Sequence, residues 1–591
     1  MTERLQEMDE AQLADLARDV RSQILKTVAA NGGHLAASLG AVELAIGLLR
    51  VFTPPDDKVL WDVGHQAYAW KILTGRGEAF GTLRRHGGIS PFLNPEESAA
   101  DAFISGHAGS ALAAAVGLAT ARDRLGGGHV VAVVGDAALT NGESLEALNS
   151  CTTLTRKVIV VVNDNAMSIS RNVGAVARRL GRLLTDVRYN RAKAAAERVG
   201  HRMRLTFLRA AYHRIERALK SFWLRNAFFE SFGLRYIGPV DGHSLKNVTS
   251  ALMVAKEDKR SVVVHVVTSK GKGFPPAESD PAAWHGVGPF SLDAAADGAP
   301  GTAHPGDGAP TWSDVFGQAL IDEARADSRV CAVVAAMKDG TGLTAFADAF
   351  PDRFFDVGIC EDMAVTFAAG LAKAGLRPVV AIYSSFLQRA IDQIQHDVCL
   401  QRLPVTFAVD RAGCVGADGA THHGLYDIPL LRPLTGLRIL APTCADELKV
   451  MLHEAVSGEG PTAIRYPKGV ASPRCSPASV AAPDVALYAV GDQVAKAEKV
   501  AALLGAKGLA AEVVPVSCVK PASVVRGGRA RLTATLENGV TDGGFGESIG
   551  ADLRFGWPDA IVRHGSVEEL ERDFGFDAEA IAEVIWRNSM A

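Results

Sequence analysis

Three short runs constrain this chain most: VVAVV at 130–134, VIVVV at 158–162 and SVVVHVV at 261–267. A strand wetted on one face alternates apolar and polar residues. Runs that do not alternate are read as strands buried on both faces, as in parallel sheets covered by helices. Helical patterns lie between them, so the stretch from about 30 to 290 reads as a parallel α/β unit. A second block repeats the pattern with RVCAVVA, RPVVAIY and PVTFAVD as strands and MAVTFAAGLAKAG as an Ala-rich helix. A third starts with DVALYAVG, an amphipathic helix near 493–505, and AAEVVPVS. The expected fold class is therefore α/β, with three successive parallel-sheet domains. The boundaries are set at 1–292, 312–475 and 476–591, with the Gly/Pro/Ala/Asp-rich stretch 293–311 as linker.

Length and charge narrow the function. A chain of 591 residues, 48% hydrophobic, has enough apolar surface for several cores. A net charge of −4 points to neither nucleic acid nor membrane as partner. The N-terminus reads as an amphipathic helix without the apolar centre of a signal peptide, and no run of about 18 apolar residues predicts a membrane span. Eight scattered cysteines with no C-x-x-C pair suit reduced thiols and a cytoplasmic location. One segment departs from this balance. Residues 171–225 carry 15 Lys and Arg against 3 Asp and Glu. A solvated helical excursion against an acidic body is the plainer reading, and a phosphate-attracting lid the sharper one.

The first chemistry comes from two strand ends. Asp136 follows VVAVVG, and Asn165 follows VIVVVND. Parallel strands end on one edge of their sheet, so the two side chains can converge there. A carboxylate, an amide oxygen and a backbone carbonyl suit a hard cation such as Mg²⁺, which takes phosphate oxygens to complete its octahedron. Ordinary turn chemistry is the plain alternative.

With these residues in view the chain resembles a known family. GDA at 135–137 followed by NDN at 163–165 is similar to the thiamine-diphosphate signature, G-D-G and then an Asn-rich strand end. GGHLAASLGAVELAIGL, WDVGHQAYAWKILTGR, YIGPVDGH, KGKGF, WHGVGPF, AIYSSFLQRAIDQIQHDV and DRAGCVGADGATHHGLYD resemble 1-deoxy-D-xylulose-5-phosphate synthase along nearly the whole length. The C-terminal block matches more loosely, chiefly at GGFGES.

The resemblance implies a homodimeric transferase with thiamine diphosphate and Mg²⁺. It condenses pyruvate, with loss of CO₂, with a small phosphorylated aldehyde, D-glyceraldehyde 3-phosphate. The metal ligands it implies are Asp136, Asn165 and the carbonyl of Met167. Gly135, Ala137, His65, His107 and Ser110 would line the cofactor. Glu361, by itself readable as a carboxylate at a helix N-terminus, would meet the pyrimidine ring, and Phe386 would stack on it. His34, His285, His422 and Asp418 would serve the reacting groups, with His423 a weaker candidate. Tyr383, Arg389, Arg411 and Lys468 would face the acceptor phosphate.

Several positions depart from the family pattern. Ala137 replaces the second glycine of G-D-G, and its Cβ either crowds the diphosphate or merely forbids positive φ. Met363 stands where E-Q-H is expected. GHAGSALA at 106–113 has lost hydroxyls, NGES at 141–144 is atypical, and Lys468 replaces an arginine, keeping the charge without the fork. Three readings remain open at this level: an authentic synthase, a paralogue with another acceptor or donor (including transketolase-like transfer), and a catalytically silent homologue.

Overall fold

The computed structural model describes residues 2–165, 227–295, 309–472, 480–522 and 530–590. Met167, the basic segment 171–225 and most of the expected linker lie outside these residues. The chain divides into two compact units. One comprises Met1–Phe80 and Phe92–Pro300, the other Gly81–Pro91 and Gly301–Ala591.

In the first unit β1 (Gly33–His34) pairs antiparallel with a later short strand. β2 (Lys58–Trp61), β3 (Val130–Gly135), β4 (Ile159–Asp164), β5 (Arg235–Asp241) and β6 (Val262–Val267) form one sheet. β7 (Gly286–Val287) is the partner of β1. The sheet order is β2-β3-β4-β6-β5, parallel throughout. The non-alternating runs are its central strands, and Val130–Val134 and Ile159–Val162 are buried on both faces. Parallelism puts every strand's carboxyl end on one edge. That edge delivers Asp62 after β2, Asp136 after β3, Asn165 after β4, His243 after β5 and Lys270 after β6.

The second unit holds two sheets. Its strands are β8 (Val330–Val334), β9 (Phe354–Asp356), β10 (Arg377–Tyr383), β11 (Thr406–Asp410), β12 (Arg438–Leu440), β13 (Thr462–Arg465), β14 (Val485–Val490), β15 (Ala511–Val516), β16 (Cys518–Lys520), β17 (Leu532–Val540) and β18 (Leu553–Trp557). The larger sheet runs β16-β12-β13-β11-β10-β8-β9, parallel except for the edge strand β16. The smaller runs β15-β14-β17-β18, all parallel. One apolar cluster under the larger sheet, with Val380, Phe407 and Ile439, continues into Tyr488 and Val490 of β14 and Val516 of β15. That shared core makes the two sheets one unit. Here too the carboxyl ends carry the polar groups: Tyr383 closes β10 directly opposite Asp410 at the end of β11.

Candidate active-site groups

In the first unit the acidic edge is built from neighbouring strand ends. Gly135 pairs with Asn163 in the β3–β4 register, and the Asp136 amide donates to the Asn163 carbonyl at 3.3 Å. Asp136 is buried, and its carboxyl is pushed well above the usual range by that burial and by the adjacent Asp164. Lys270 opposes the shift. Burial pulls the Lys270 ammonium down to about 8, against the attraction of Asp136. Asp164, which the sequence reading passed over, accepts from His265 Nε2 at 2.8 Å, and His265 Nδ1 lies 2.7 Å from the Tyr236 hydroxyl. Two carboxyls crowded out of water with one lysine are a donor set short of positive charge, which is the condition a divalent ion relieves. Among the described residues no three His, Cys, Asp or Glu side chains are set to hold a metal ion. An Asp–Asn–carbonyl set contains only one side chain of those four types.

Ala137 sits at φ −70°, ψ −45°. Its Cβ therefore causes no strain, and its amide donates to the Asp136 carboxylate. The missing glycine costs this turn nothing in backbone conformation. A Cβ added at Gly135 would meet no atom within 4 Å, so space is open beside the acidic edge.

The 106–113 loop is shaped by a carboxylate rather than by hydroxyls. Asp62, buried, accepts the Gly109 amide through both oxygens at 3.0 Å and the Ala111 amide at 3.2 Å. These donors belong to the first turn of the helix Ser110–Leu125, whose amides lack helical partners. Gly109, at φ +95°, is required there, since a Cβ would stand 2.3 Å from Asn141 Oδ1. Asn141 in turn caps the helix Gly142–Leu154 through the Glu143 amide. The loop carries His107 and Ser110, both half-buried.

Three of the expected histidines meet. The ring centroids of His34 and His65 are 5.9 Å apart, of His34 and His285 5.8 Å, and of His65 and His285 5.1 Å, with Phe92 5.4 Å from His34. Burial, then His65, Lys270 and His34, hold His285 well below the usual imidazole value, so it is neutral. Its Nδ1 is buried with no hydrogen-bond partner among the described residues.

In the second unit Glu361 is the first residue of the helix Glu361–Lys373 and is buried. Burial raises its carboxyl above the usual value, with Arg389 pulling the other way. Arg389 Nη1 lies 3.6 Å from Glu361 Oε2, too far for a hydrogen bond, and Oε2 has no hydrogen-bond partner among the described residues. A buried oxygen so placed suits a ring-nitrogen partner. Phe386 stacks on Tyr383 at 5.7 Å and meets His422 edge-on at 5.5 Å. The Arg411 guanidinium lies over the Tyr383 ring at 4.0 Å, and no ion pair involves it among the described residues. Arg411 has φ +58°, a conformation rare for a side chain of its size. It is held beside Asp410, whose carboxyl burial raises to about 6 against the pull of Arg411 and the Ser313 hydroxyl.

Asp418 is bridged twice, to Arg84 Nη1 at 2.6 Å and to Lys468 Nζ at 3.5 Å. Arg84 was absent from the sequence expectations; it lies in Gly81–Pro91, which belongs to the second unit although its flanks belong to the first. His423 is a bracing residue. Its Nδ1 accepts the Val415 amide at 3.1 Å, so its Nε2–H donates to the Arg563 carbonyl at 3.0 Å.

The matches to known proteins follow this layout. A family model for 1-deoxy-D-xylulose-5-phosphate synthase covers residues 1–268, the transketolase pyrimidine-binding domain 308–473, and the transketolase C-terminal domain 478–581. These matches place the chain among the thiamine-diphosphate-dependent transferases of the transketolase class. A 1-deoxy-D-xylulose-5-phosphate synthase of Pelotomaculum thermopropionicum is 46% identical across 97% of this chain and 94% of its own. A second, from Geobacter sulfurreducens, is 46% identical across 97% and 96%. The chain belongs to the 1-deoxy-D-xylulose-5-phosphate synthase family.

Proposed function

We propose that this chain condenses pyruvate with D-glyceraldehyde 3-phosphate, releasing CO₂ and forming 1-deoxy-D-xylulose 5-phosphate. The single observation that carries the reading is the carboxyl edge of the first unit's sheet. There a buried Asp136–Asp164 pair, Lys270 and a neutral histidine lie within one electrostatic neighbourhood. That edge suits a divalent ion on a diphosphate, with protonatable groups beside it.

Thiamine diphosphate, when bound, supplies the nucleophile and the electron sink for decarboxylation and carbon–carbon bond formation. The chain's own residues hold, orient and move protons. Asp136 and Asn165, with the Met167 carbonyl, hold Mg²⁺; Gly135 and Ala137 form the turn beside it. Lys270, His65, His107 and Ser110 receive the diphosphate, the loop being set by Asp62. His34 and His285 meet the pyruvate carboxylate and exchange protons, His285 through its neutral Nδ1. Glu361 meets the pyrimidine ring and Phe386 stacks on it. Joining the aldehyde consumes one proton at its oxygen, and His422 with Asp418 is assigned that delivery. Arg411, Lys468 and Arg389 supply the cationic side toward the acceptor phosphate and Tyr383 a neutral hydroxyl, Arg389 also facing Glu361.

Functionally the chain divides into 1–292 for diphosphate and metal, 312–475 for the pyrimidine, and 476–591 as a supporting domain, joined through 293–311. It works as a homodimer in the cytoplasm. All seven cysteines among the described residues are unpaired thiols, which suits a reducing compartment. Among those residues no helix is long and apolar enough to cross a membrane.

The test is CO₂ release from pyruvate with thiamine diphosphate and Mg²⁺, with and without glyceraldehyde 3-phosphate, and identification of the sugar phosphate formed. No CO₂ from pyruvate overturns the proposal. CO₂ release with a different aldehyde preferred would replace the acceptor and leave the rest.

A further inference from the structure

His243 takes no part in the groups assigned above, yet its ring ties the chain that carries Lys270 to the helix Val42–Val51. It follows β5 in the turn Asp241-Gly242-His243, where its amide donates to Asp241 Oδ1 at 3.0 Å. Its Nε2 accepts the Ser269 backbone amide at 2.9 Å. A backbone N–H can only donate, so Nε2 carries no proton, and the proton of the neutral ring sits on Nδ1. Nδ1 lies 3.1 Å from Glu43 Oε2 and donates to it. The same oxygen receives Arg21 Nη2 at 2.5 Å, while Arg21 Nε donates to the Leu39 carbonyl. Burial alone would raise the Glu43 carboxyl; its hydrogen bonds from His243 and Arg21 overcome that and hold it at about 2. The acceptor that fixes the imidazole is therefore permanently charged near neutral pH.

What His243 holds is the chain immediately before Lys270. Tethers on both sides of that lysine hold its backbone. The Thr268 hydroxyl donates to Asn163 Oδ1 at 2.7 Å, the Ser269 amide to His243, and the Gly271 amide to the Ala36 carbonyl at 2.7 Å. The packing leaves little slack. A Cβ on Gly242 would stand 2.6 Å from the Val267 carbonyl oxygen, and one on Gly40 would stand 2.7 Å from the Ser269 carbonyl oxygen. The Thr268 amide also donates to the Asp164 carbonyl at 2.9 Å, and of these tethers the one at Ser269 ends on an imidazole ring. Lys270 itself is buried and feels both Asp136 and His285.

We propose that His243 is a positioning residue. Locked as the Nδ1–H tautomer by Glu43, it receives the Ser269 amide and so aims Lys270 at the cofactor diphosphate. The role rests on the diphosphate assignment of Lys270 made above. Loss of one such directing hydrogen bond is worth about a five-fold change in a binding constant.

The experiment is calorimetric titration of the full-length protein with thiamine diphosphate in excess Mg²⁺. The variants are His243→Phe, His243→Gln, Lys270→Met and the His243→Phe/Lys270→Met double. ¹⁵N-histidine spectra of the wild-type protein accompany it. His243→Phe is expected to weaken binding about five-fold. His243→Gln, which keeps an oxygen acceptor for the Ser269 amide, should stay within about two-fold of wild type. The double variant should bind no more weakly than Lys270→Met alone, because a residue acting through Lys270 has nothing left to direct. The spectra should show His243 protonated on Nδ1 and bare on Nε2, a readout that stands even where the Phe variant fails to fold. Unchanged affinity in His243→Phe, losses that multiply in the double variant, or an Nε2–H tautomer overturns the role. Wild-type protein that takes up no thiamine diphosphate overturns the proposed function, and this role with it.

Discussion

Glu361 and Arg389 face each other across 3.6 Å, close enough to attract and too far to hydrogen-bond, with the Glu361 Oε2 buried. The guanidinium therefore tempers the carboxyl's burial without occupying its oxygen. Glu361→Ala is expected to lower turnover at least about 100-fold, the usual scale of a lost proton-handling contact. Its circular dichroism should match wild type, since a helix-terminal side chain is removed and no core is opened. Arg389→Met should push the Glu361 carboxyl further up and move the corresponding limb of the kcat/KM profile to higher pH. Full activity in Glu361→Ala, or an unmoved limb in Arg389→Met, removes the assignment.

The acid pair gives a stability prediction whose sign can be worked out. The Asp136 carboxyl is raised in the folded protein, so the folded state keeps a proton that the unfolded chain releases first. That contribution to stability is full below the ordinary carboxylate range and is lost as pH rises through the raised value. In chelator, Asp136→Asn should melt higher than wild type, and the gap should widen from pH 5 to pH 8. Mg²⁺ with thiamine diphosphate should then raise the melting temperature of wild type and not of the variant. A gap that does not change with pH would show that the pair is not titrating there.

Much of this was readable from local pattern. VVAVV and VIVVV do not alternate, so they read as buried strands, with Asp136 and Asn165 following them on one edge. Ala137 raised the question of φ, and the structure answers it with a helical value. The meeting of His34, His65 and His285 was legible only through family resemblance, because no periodicity links residues 251 positions apart. Asp164 and Lys270 lay in quoted motifs, NDN and KGKG, yet nothing local distinguishes a turn aspartate or a solvated lysine from a buried one. Arg84 was hidden for a topological reason: its eleven-residue segment belongs to the second unit, while its neighbours in sequence belong to the first. Asp62 was hidden because its partners are backbone amides, which a sequence does not display.

Asp418 already holds Arg84 at 2.6 Å, and Lys468 reaches it only at 3.5 Å. Among the described residues the lysine thus has one weak fixed partner, and it has a single charge to offer a phosphate. Lys468→Arg would present a planar fork able to bind two phosphate oxygens at once. The expected result is a KM for glyceraldehyde 3-phosphate lowered about three-fold, with the KM for pyruvate unchanged. Equal effects on both substrates, or none, would count against the placement of Lys468 on the acceptor phosphate.

The hydroxyl-poor 106–113 loop is the departure from the family pattern that the structure explains best, because its geometry comes from Asp62. The carboxylate gathers the Gly109 and Ala111 amides and leaves the intervening Ser110 to begin a helix. Asp62→Ala would strand two buried donors, which costs about 2 kcal/mol or more. Asp62→Asn keeps one acceptor oxygen but turns an NH₂ toward the same amides, so its loss should fall between wild type and Ala. If the loop receives the diphosphate, affinity should fall in the same order, Asp62→Ala by at least about ten-fold. Thiamine without its diphosphate should bind all three proteins equally. Calorimetry with both ligands checks this, and equal losses for thiamine and thiamine diphosphate would mean that Asp62 supports the unit as a whole and has no particular bearing on the diphosphate loop.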